Sequence, residues 1–478
     1  MTRMTIGQAF TWLALRDPDR LAVRDGSNQL TRSDLDKQSN QVARLYQQLG
    51  VTEDSMVAVS LPNSVDFVVA CVAIWKLGAT PMPLSPDMGL EERQTLLDLA
   101  RPSLWVTANK QPNPGFPTVG AAPNLEGIDA SSLPIAAAAC WKAPTTSGST
   151  GRPKIVRSTA AAWIDPEMPV TSFIPQEAVQ LVTAPMTHSA PFTYAFRGLM
   201  TGHSLIIHPR FDERRALAEI PASRITWAMF VPTMMHRIMR LPLELRESTD
   251  VSSLESILHI GAPCAPELKR EWLEWLGPDR VMEVYAGTES QGLTAISGQE
   301  WLEHPGSVGL PIGGTSLKIV DESGQPLPSL SVGEILMTRA GGHTYEYLGG
   351  ESSRRDGWDS LGDLGFLDDD GYLFVCDRLD DLIISGGVNV FPADVERVLE
   401  RHPKVRSAVA FGVQDEDLGQ RVEAIVDIAD AELSTAELMQ WLRSRLEPIK
   451  QPRRMRFVRD PLRNDAGKVR RKKQQKNG

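Results

Sequence analysis

MVAVSLPNSVDFVVACVAIWKLGATPMPL, residues 56–84, predicts the class of fold. Pro62 ends its first short apolar run, and Ser64 provides an N-cap for an apolar segment of helical length. Gly78 is a natural end for that helix, and extended character resumes over 80–84. A strand, a helix and a second strand in this order form a βαβ unit, which implies a parallel sheet.

The same alternation continues towards both ends of the chain. Further strands are predicted at 180–183, 204–208, 225–231, 256–260 and 280–284, and helices at 194–199, 233–239 and 266–276. From about 305 to 379 the chain is rich in glycine and short alternating strands, which indicates a β-rich subdomain. Residues 380–478 contain helices predicted at 393–401 and 435–446, and strands predicted at 407–412, 421–428 and 455–458. We therefore expect an α/β protein with a large N-terminal domain over 1–379 and a small α+β domain over 380–478.

Composition limits the function further. The chain has 478 residues, of which 42% are hydrophobic, and a net charge of −10, which argues against nucleic-acid binding through an overall positive field. Its four scattered cysteines favour neither a disulfide framework nor a thiolate zinc site, and they suit a reducing compartment. No apolar stretch is long enough to span a membrane and no signal peptide is evident, so we expect a cytoplasmic protein.

TTSGSTGRPK at 145–154 is the strongest local feature. Gly148 and Gly151 allow a tight turn that presents backbone N–H groups, while the hydroxyls and Lys154 add donors and positive charge. Such a loop is suited to holding phosphate. A flexible Ser/Thr/Gly loop is the alternative that composition alone leaves open. The sequence contains no Walker loop.

Residues 146–154, TSGSTGRPK, resemble the phosphate-loop signature of the adenylate-forming superfamily, which includes the acyl- and aryl-CoA ligases. Four more segments resemble motifs of that family in the family's order: YAGTE at 285–289, LGDLG at 361–365, DRLDD at 377–381 and NDAGK at 464–468. The resemblance covers essentially the whole chain and is closest to bile-acid and fatty-acid-type CoA ligases. It implies a mobile C-terminal domain, activation of a carboxylate with ATP and Mg²⁺, and transfer of the acyl group to CoA.

The resemblance also implies roles for the matched residues. The pyrophosphate would be held by Thr146, Ser147, Gly148, Ser149, Gly151 and Lys154. The nucleotide would be bound by Gly261, Ala262, Pro263, Tyr285, Asp363 and Arg378. Thr150 and Glu289 would position the metal, and Lys468 would bridge the substrate carboxylate and the α-phosphate. Asp380 matches the hinge, and Gly386 and Gly387 match the tunnel for the pantetheine arm of CoA. Without the resemblance, the sequence predicts that Lys468 is a solvated tail lysine and that the two glycines form a β-turn.

The acyl pocket is predicted around His188, which follows a strand at the place where the family carries a gating aromatic or histidine. The other predicted lining residues are Phe192, Trp227, Val231, Ala286 and Gly287. This set offers no partner for an α-amino group, so we expect a bulky hydrophobic acid of aryl or polycyclic type.

Three departures from the family pattern leave alternatives open: Ala286 replaces a glycine, Leu361 a threonine, and Ile384 a lysine found in many CoA ligases. Ala286 supports an enzyme limited to one half-reaction, which either loads a carrier protein or only thioesterifies a supplied acyl-adenylate. A non-catalytic scaffold of the same fold is a third possibility. The presence of Lys468, Glu289, Asp363 and Lys154 argues against a scaffold.

Overall fold

The computed structural model describes residues 3–108, 115–146, 153–352, 354–428, 433–459 and 462–463. The helices of these ranges are α1 Ile6–Arg16, α2 Arg32–Gln48, α3 Val65–Lys76, α4 Leu90–Ala100, α5 Ser189–Met200, α6 Glu213–Ala222, α7 Pro232–Met239, α8 Leu243–Ser248, α9 Pro266–Leu276, α10 Gly298–Glu303, α11 Pro392–Glu400 and α12 Thr435–Arg443. Short 3₁₀ turns lie at Pro278–Arg280, Leu379–Asp381 and Pro448–Lys450.

The strands of the same ranges are β1 Met4–Thr5, β2 Leu21–Asp25, β3 Asn28–Thr31, β4 Met56–Ser60, β5 Thr80–Pro83, β6 Leu104–Thr107, β7 Thr118–Val119, β8 Thr145–Thr146, β9 Lys154–Ser158, β10 Trp163–Ile164, β11 Val179–Val182, β12 Ser204–Ile207, β13 Trp227–Phe230, β14 Ser256–Ile260, β15 Val281–Ala286, β16 Leu293–Ser297, β17 Leu310–Pro311, β18 Thr315–Val320, β19 Gly333–Arg339, β20 Tyr345–Leu348, β21 Asp359–Leu367, β22 Leu373–Arg378, β23 Ile383–Ser385, β24 Val388–Val390, β25 Val405–Asp415, β26 Gly419–Ile428 and β27 Arg454–Val458.

The predicted α/β class is confirmed. A 9-stranded sheet has the order β17-β16-β15-β14-β13-β11-β12-β2-β3, and its strands from β2 to β15 are parallel neighbours. A second sheet, β5-β4-β6-β7, contains the βαβ unit predicted at 56–84, with β4 and β5 parallel. All twelve residues of the intervening helix α3 except Asp66 are buried, as expected of a helix enclosed by core on every side.

One predicted helix start is wrong by more than a turn. The sequence placed the helix at 194–199, whereas α5 begins at Ser189. Pro191 lies in its first turn, where a residue needs no intrahelical N–H donor, so the proline does not break the helix.

The β-rich part consists of an antiparallel sheet, β18-β19-β21-β22, and a small sheet, β20-β9-β8. Strands β8 and β9 pair antiparallel on either side of the predicted phosphate loop, and we call this strand pair the phosphate-loop hairpin; β20 pairs with β9. The β-rich part is therefore joined through β20 to the segment that carries this loop.

The C-terminal unit has the sheet order β24-β23-β26-β25, with β27 parallel to β26. It contacts the rest of the chain through the Ala393 N–H, which donates to Asp377 Oδ2 at 2.7 Å, and through Arg240 Nη2, which donates to the Val405 carbonyl at 2.6 Å. The domain boundary at Asp380 stays a prediction. Within the described ranges, no helix has the length and apolar character needed to cross a membrane.

Candidate active site

Asp363 is the centre of a buried polar network between two sheets. The Tyr285 hydroxyl, at the end of β15, donates to Asp363 Oδ2 at 2.6 Å. Arg378 Nε lies 2.8 Å from Asp363 Oδ1, and the two residues are cross-strand partners in β21 and β22. Asp363 is only 6% exposed, and burial raises the pKa of its carboxyl while Arg378 opposes that rise. Each carboxylate oxygen keeps a further lone pair, so Asp363 can also accept hydrogen bonds from a vicinal diol.

Arg378 reaches this network from the surface. Its Nη1 also donates to the Leu361 carbonyl at 3.3 Å, and about half of its side chain is exposed. An exposed guanidinium fixed on a buried carboxylate can also reach an anionic ligand at the rim of the site. Burial and the neighbouring Asp363 raise the pKa of Tyr285, so its hydroxyl stays protonated and donating.

The segment 261–263 leaves the carboxyl end of β14 beside Val231. Gly261 has φ +94°, in the left-handed region, and a Cβ built there would lie 3.8 Å from Val231 Cγ1. A side chain at this position would be strained, which explains the glycine in the GAP segment. The carboxyl ends of β14 and β15 lie together, so Gly261, Ala262, Pro263 and Tyr285 belong to one edge of the sheet, where α/β proteins bind ligands.

Glu289 is connected to the phosphate-loop hairpin through Tyr347. The Tyr347 hydroxyl donates to Glu289 Oε1 at 2.6 Å, and Lys154 Nζ lies 4.2 Å from the centre of the Tyr347 ring. The Thr344 hydroxyl donates to the Glu289 carbonyl at 2.8 Å. Tyr347 thus contacts Glu289 through its hydroxyl and Lys154 through the face of its ring.

Thr146 and Lys154 are register partners at the ends of the antiparallel strands β8 and β9. Residues 147–152, which include Ser147, Gly148, Ser149, Thr150 and Gly151, lie outside the described residues, as does Lys468. Glu289 fits a magnesium ion, because one carboxylate oxygen is oriented by Tyr347 and hard oxygen donors are the ligands that Mg²⁺ prefers.

The chain at Gly287, two residues before Glu289, is tightly packed. A Cβ added to Gly287 would lie 2.4 Å from Leu361 Cδ2 and 3.0 Å from Glu289 Oε2. Leu361, which departs from the family pattern, therefore packs directly on Gly287, and neighbouring Ala286 is partly buried against the core. Any larger residue at 287 would displace either the leucine or the carboxylate.

The predicted acyl-pocket residues separate into two groups. His188 is the partly exposed N-cap residue of α5, and Val231 packs beside Gly261. Phe192 and Trp227 are 0% exposed and lie inside aromatic clusters, with Phe192 against Phe196 and Trp227 against Tyr194. Both rings lie within the core, and their role towards a substrate stays a prediction.

Asp380 lies exposed in the 3₁₀ turn Leu379–Asp381, ahead of the C-terminal sheet. Gly386 and Gly387 are the two exposed residues between β23 and β24, with φ +55° and +78°. Two positive φ values in a two-residue hairpin loop define a turn that favours glycine. The β-turn alternative therefore holds, and the tunnel role stays a prediction.

Two residues close to this site were missed by the sequence reasoning. Tyr347 was missed because its contact depends on the pairing of β20 with β9, about 190 residues away in sequence. Lys142 lies buried four residues before Thr146, and its Nζ donates to the hydroxyls of Ser189 and Thr193. A lysine within the otherwise apolar run 138–144 was the signal that could have identified it.

Comparison with known proteins supports one family. The model of the AMP-binding enzymes matches residues 10–345, and that of the AMP-binding enzyme C-terminal domain matches residues 394–468. The 2-succinylbenzoate–CoA ligase of Bacillus licheniformis is 30% identical over 97% of this chain and 98% of its own. Feruloyl-CoA synthase of an Amycolatopsis species is 31% identical over 95% of each chain.

Solved structures agree. The o-succinylbenzoate CoA synthetase of Bacillus subtilis with its acyl-adenylate intermediate has a TM-score of 0.83 at 25% identity, covering 99% of this chain and 98% of its own. The same enzyme with ATP and magnesium also has a TM-score of 0.83, at 26% identity, covering 98% and 99%. At the level of the family, the predicted resemblance, the acid–thiol ligase class and the use of ATP, magnesium and CoA are confirmed. The chain belongs to the AMP-binding enzyme family, the adenylate-forming enzymes.

Proposed function

We propose that this enzyme activates an aromatic carboxylic acid with ATP and transfers the acyl group to CoA. The observation that carries the proposal is the Tyr285–Asp363–Arg378 network beside Glu289. In the first step the substrate carboxylate attacks the α-phosphorus of ATP, and pyrophosphate leaves. In the second step the CoA thiol attacks the acyl carbon, loses its proton and releases AMP.

The residues singled out from the sequence suit the first step. Asp363 accepts hydrogen bonds from the ribose hydroxyls, and the Tyr285 ring packs on adenine beside the 261–263 segment. Glu289 and Thr150 would hold Mg²⁺, which would screen the charge between carboxylate and phosphates. Lys154 and the 146–151 loop bind the leaving pyrophosphate, while Lys468 stabilises charge on the α-phosphate.

The second step uses the C-terminal domain. We propose that it rotates about Asp380, which lies exposed in a short turn and is free of the packing that would resist a change in backbone angles. The hairpin of Gly386 and Gly387 then borders the path of the pantetheine arm, because it offers no side chain to obstruct it.

The substrate class rests on two supports. The acyl side combines His188 with the apolar residues Val231 and Ala286, so it favours an apolar body on the acid. The names of the two relatives specify aromatic acids, succinylbenzoate and ferulate. A bulky aromatic acid satisfies both.

ATP–pyrophosphate exchange with benzoate, ferulate and 2-succinylbenzoate tests the proposal. We expect exchange with at least one of these acids and formation of the matching thioester when CoA is added. Absence of exchange with all of them, in protein whose circular dichroism is that of a folded α/β chain, would contradict the proposal.

The thiol acceptor requires its own assay. Synthetic acyl-adenylate is offered with CoA, and separately with a phosphopantetheinylated carrier protein, without ATP. We expect CoA to be acylated; acylation of the carrier alone would favour the loading alternative.

We also propose a cytoplasmic location, on the support of four free cysteines.

A further inference from the structure

Lys142 differs from the other buried lysines of the described ranges, Lys76 and Lys269. Lys76 is paired with Asp36 at 2.6 Å, and Lys269 with Glu283 at 2.5 Å. Lys142 is also buried, at 5% exposure, but the hydrogen bonds of its Nζ are to hydroxyls: Ser189 Oγ at 2.9 Å and Thr193 Oγ1 at 2.6 Å. Among the described residues, no carboxylate lies within ion-pair distance of this ammonium group.

A second cation, Arg197, lies against the same aromatic ring as Lys142. The Arg197 guanidinium is 4.4 Å from the centre of the Trp141 ring, and Lys142 Nζ is 5.0 Å from the same ring. Arg197 also has no ion-pair partner in the part of the chain that the structure describes. Two cations that share one aromatic ring without a carboxylate leave positive charge uncompensated, which is costly in a protein interior.

Three of the polar residues around Lys142 form a stripe on α5. Ser189, Thr193 and Arg197 are spaced four residues apart, so they lie on one face of the helix. The stripe begins next to His188 and extends about 12 Å along the helix at 1.5 Å per residue. All three residues are partly exposed, whereas Lys142 and Trp141 are buried.

We propose that Lys142, with Ser189, Thr193 and Arg197, forms a subsite for a second anionic group on the acid substrate. The inference rests on the proposed acid-ligase function and narrows its substrate to an aromatic acid with an additional carboxylate. That carboxylate supplies the counter-charge that the chain supplies to Lys76 and Lys269. The hydroxyls of Ser189 and Thr193 orient the ammonium group and can donate to the anion.

Aromatic acids with matched substituents test the subsite. Nitro and carboxylate groups have nearly the same shape, but only the carboxylate is charged. Cinnamic acids with either group at ring position 2, 3 or 4 are compared by ATP–pyrophosphate exchange in the full chain. In the wild type we expect the carboxylate to exceed its nitro partner in kcat/KM by about tenfold at one position or more, as for a charged hydrogen bond.

Variants assign that preference to the lysine. Lys142→Met should bring the carboxylate-to-nitro ratio close to one, whereas Lys142→Arg should retain a preference because it keeps the charge. Lys37→Met, which removes an exposed surface lysine, serves as the control for net charge. Thr193→Val provides a second, milder variant, expected to lower the ratio about threefold by removing one hydrogen bond.

The outcomes separate the two proposals. Exchange with nitro acids but no carboxylate preference at any ring position would overturn the subsite and leave the ligase proposal standing. A preference that Lys142→Met leaves unchanged would also overturn it. No exchange with any acid in folded protein would contradict the ligase proposal and the subsite with it.

Discussion

The proposed nucleotide side and the proposed acyl side of the site differ in how their charged groups are paired. On the nucleotide side, Asp363 already has both carboxylate oxygens engaged, by Tyr285 and Arg378. On the acyl side, Lys142 has hydroxyls as its hydrogen-bond partners and no carboxylate within ion-pair distance among the described residues. A network complete within the chain is organised before the ligand arrives, whereas an uncompensated cation derives its counter-charge from the ligand. The first arrangement suits a co-substrate common to the whole family, and the second suits discrimination among acids.

The largest expected difference concerns stability. Lys76→Met leaves the partly buried Asp36 without its ammonium partner, and we expect it to lower the free energy of unfolding by about 3 kcal/mol. Lys142→Met removes a buried cation that has no carboxylate partner, and we expect it to raise that free energy by about 1 kcal/mol. Urea unfolding of the ligand-free chain measures both. Equal destabilisation by the two substitutions would mean that Lys142 is as well compensated as Lys76.

On the nucleotide side, Asp363→Ala should be the most damaging single change to activity. It removes the acceptor of two hydrogen bonds and leaves Tyr285 and Arg378 without their buried partner. We expect kcat/KM for ATP to fall about 100-fold, equivalent to losing charged hydrogen bonds. Asp370→Ala, which removes an exposed carboxylate from the same β-rich part, is the control and should remain near wild type. A loss below about threefold would refute a nucleotide-binding role for Asp363.

Tyr347→Phe tests the connection between Glu289 and the phosphate-loop hairpin. The substitution keeps the ring that contacts Lys154 and removes only the hydroxyl that donates to Glu289. We expect about a tenfold fall in kcat/KM, with a higher magnesium requirement, because Glu289 loses its orienting donor. Magnesium titration of the exchange reaction measures both effects. The same substitution at Tyr345, whose ring packs edge-to-face against Tyr347, is a control that leaves the Tyr347–Glu289 hydrogen bond in place.

Sequence reasoning predicted the parts of this molecule that local pattern determines. The βαβ unit at 56–84 follows from apolar periodicity and from caps within a few residues, and it was confirmed. Asp363 and Tyr285 were identified because short motifs mark them, and the structure brings them within 2.6 Å. Lys142 and Tyr347 could not be placed in this way, because the groups that surround them come from helix α5 and strand β9, far away in the chain.

The smallest effect we expect is a pH dependence confined to the acyl side. Burial, followed by the charge of Arg197, lowers the pKa of Lys142 to about 7, while Cys140 and Glu289 act in the opposite direction. Arg197 itself, with a pKa lowered to about 10, remains charged through neutral pH. A lysine is cationic below its pKa, so the carboxylate-to-nitro ratio should be highest near pH 6 and decline by about fivefold towards pH 8.5. Both substituents and the reacting carboxylate keep constant charge over this range, so the decline reports on the protein. Lys142→Arg stays protonated and should make the ratio independent of pH; a decline that persists in this variant would assign the titration to another group.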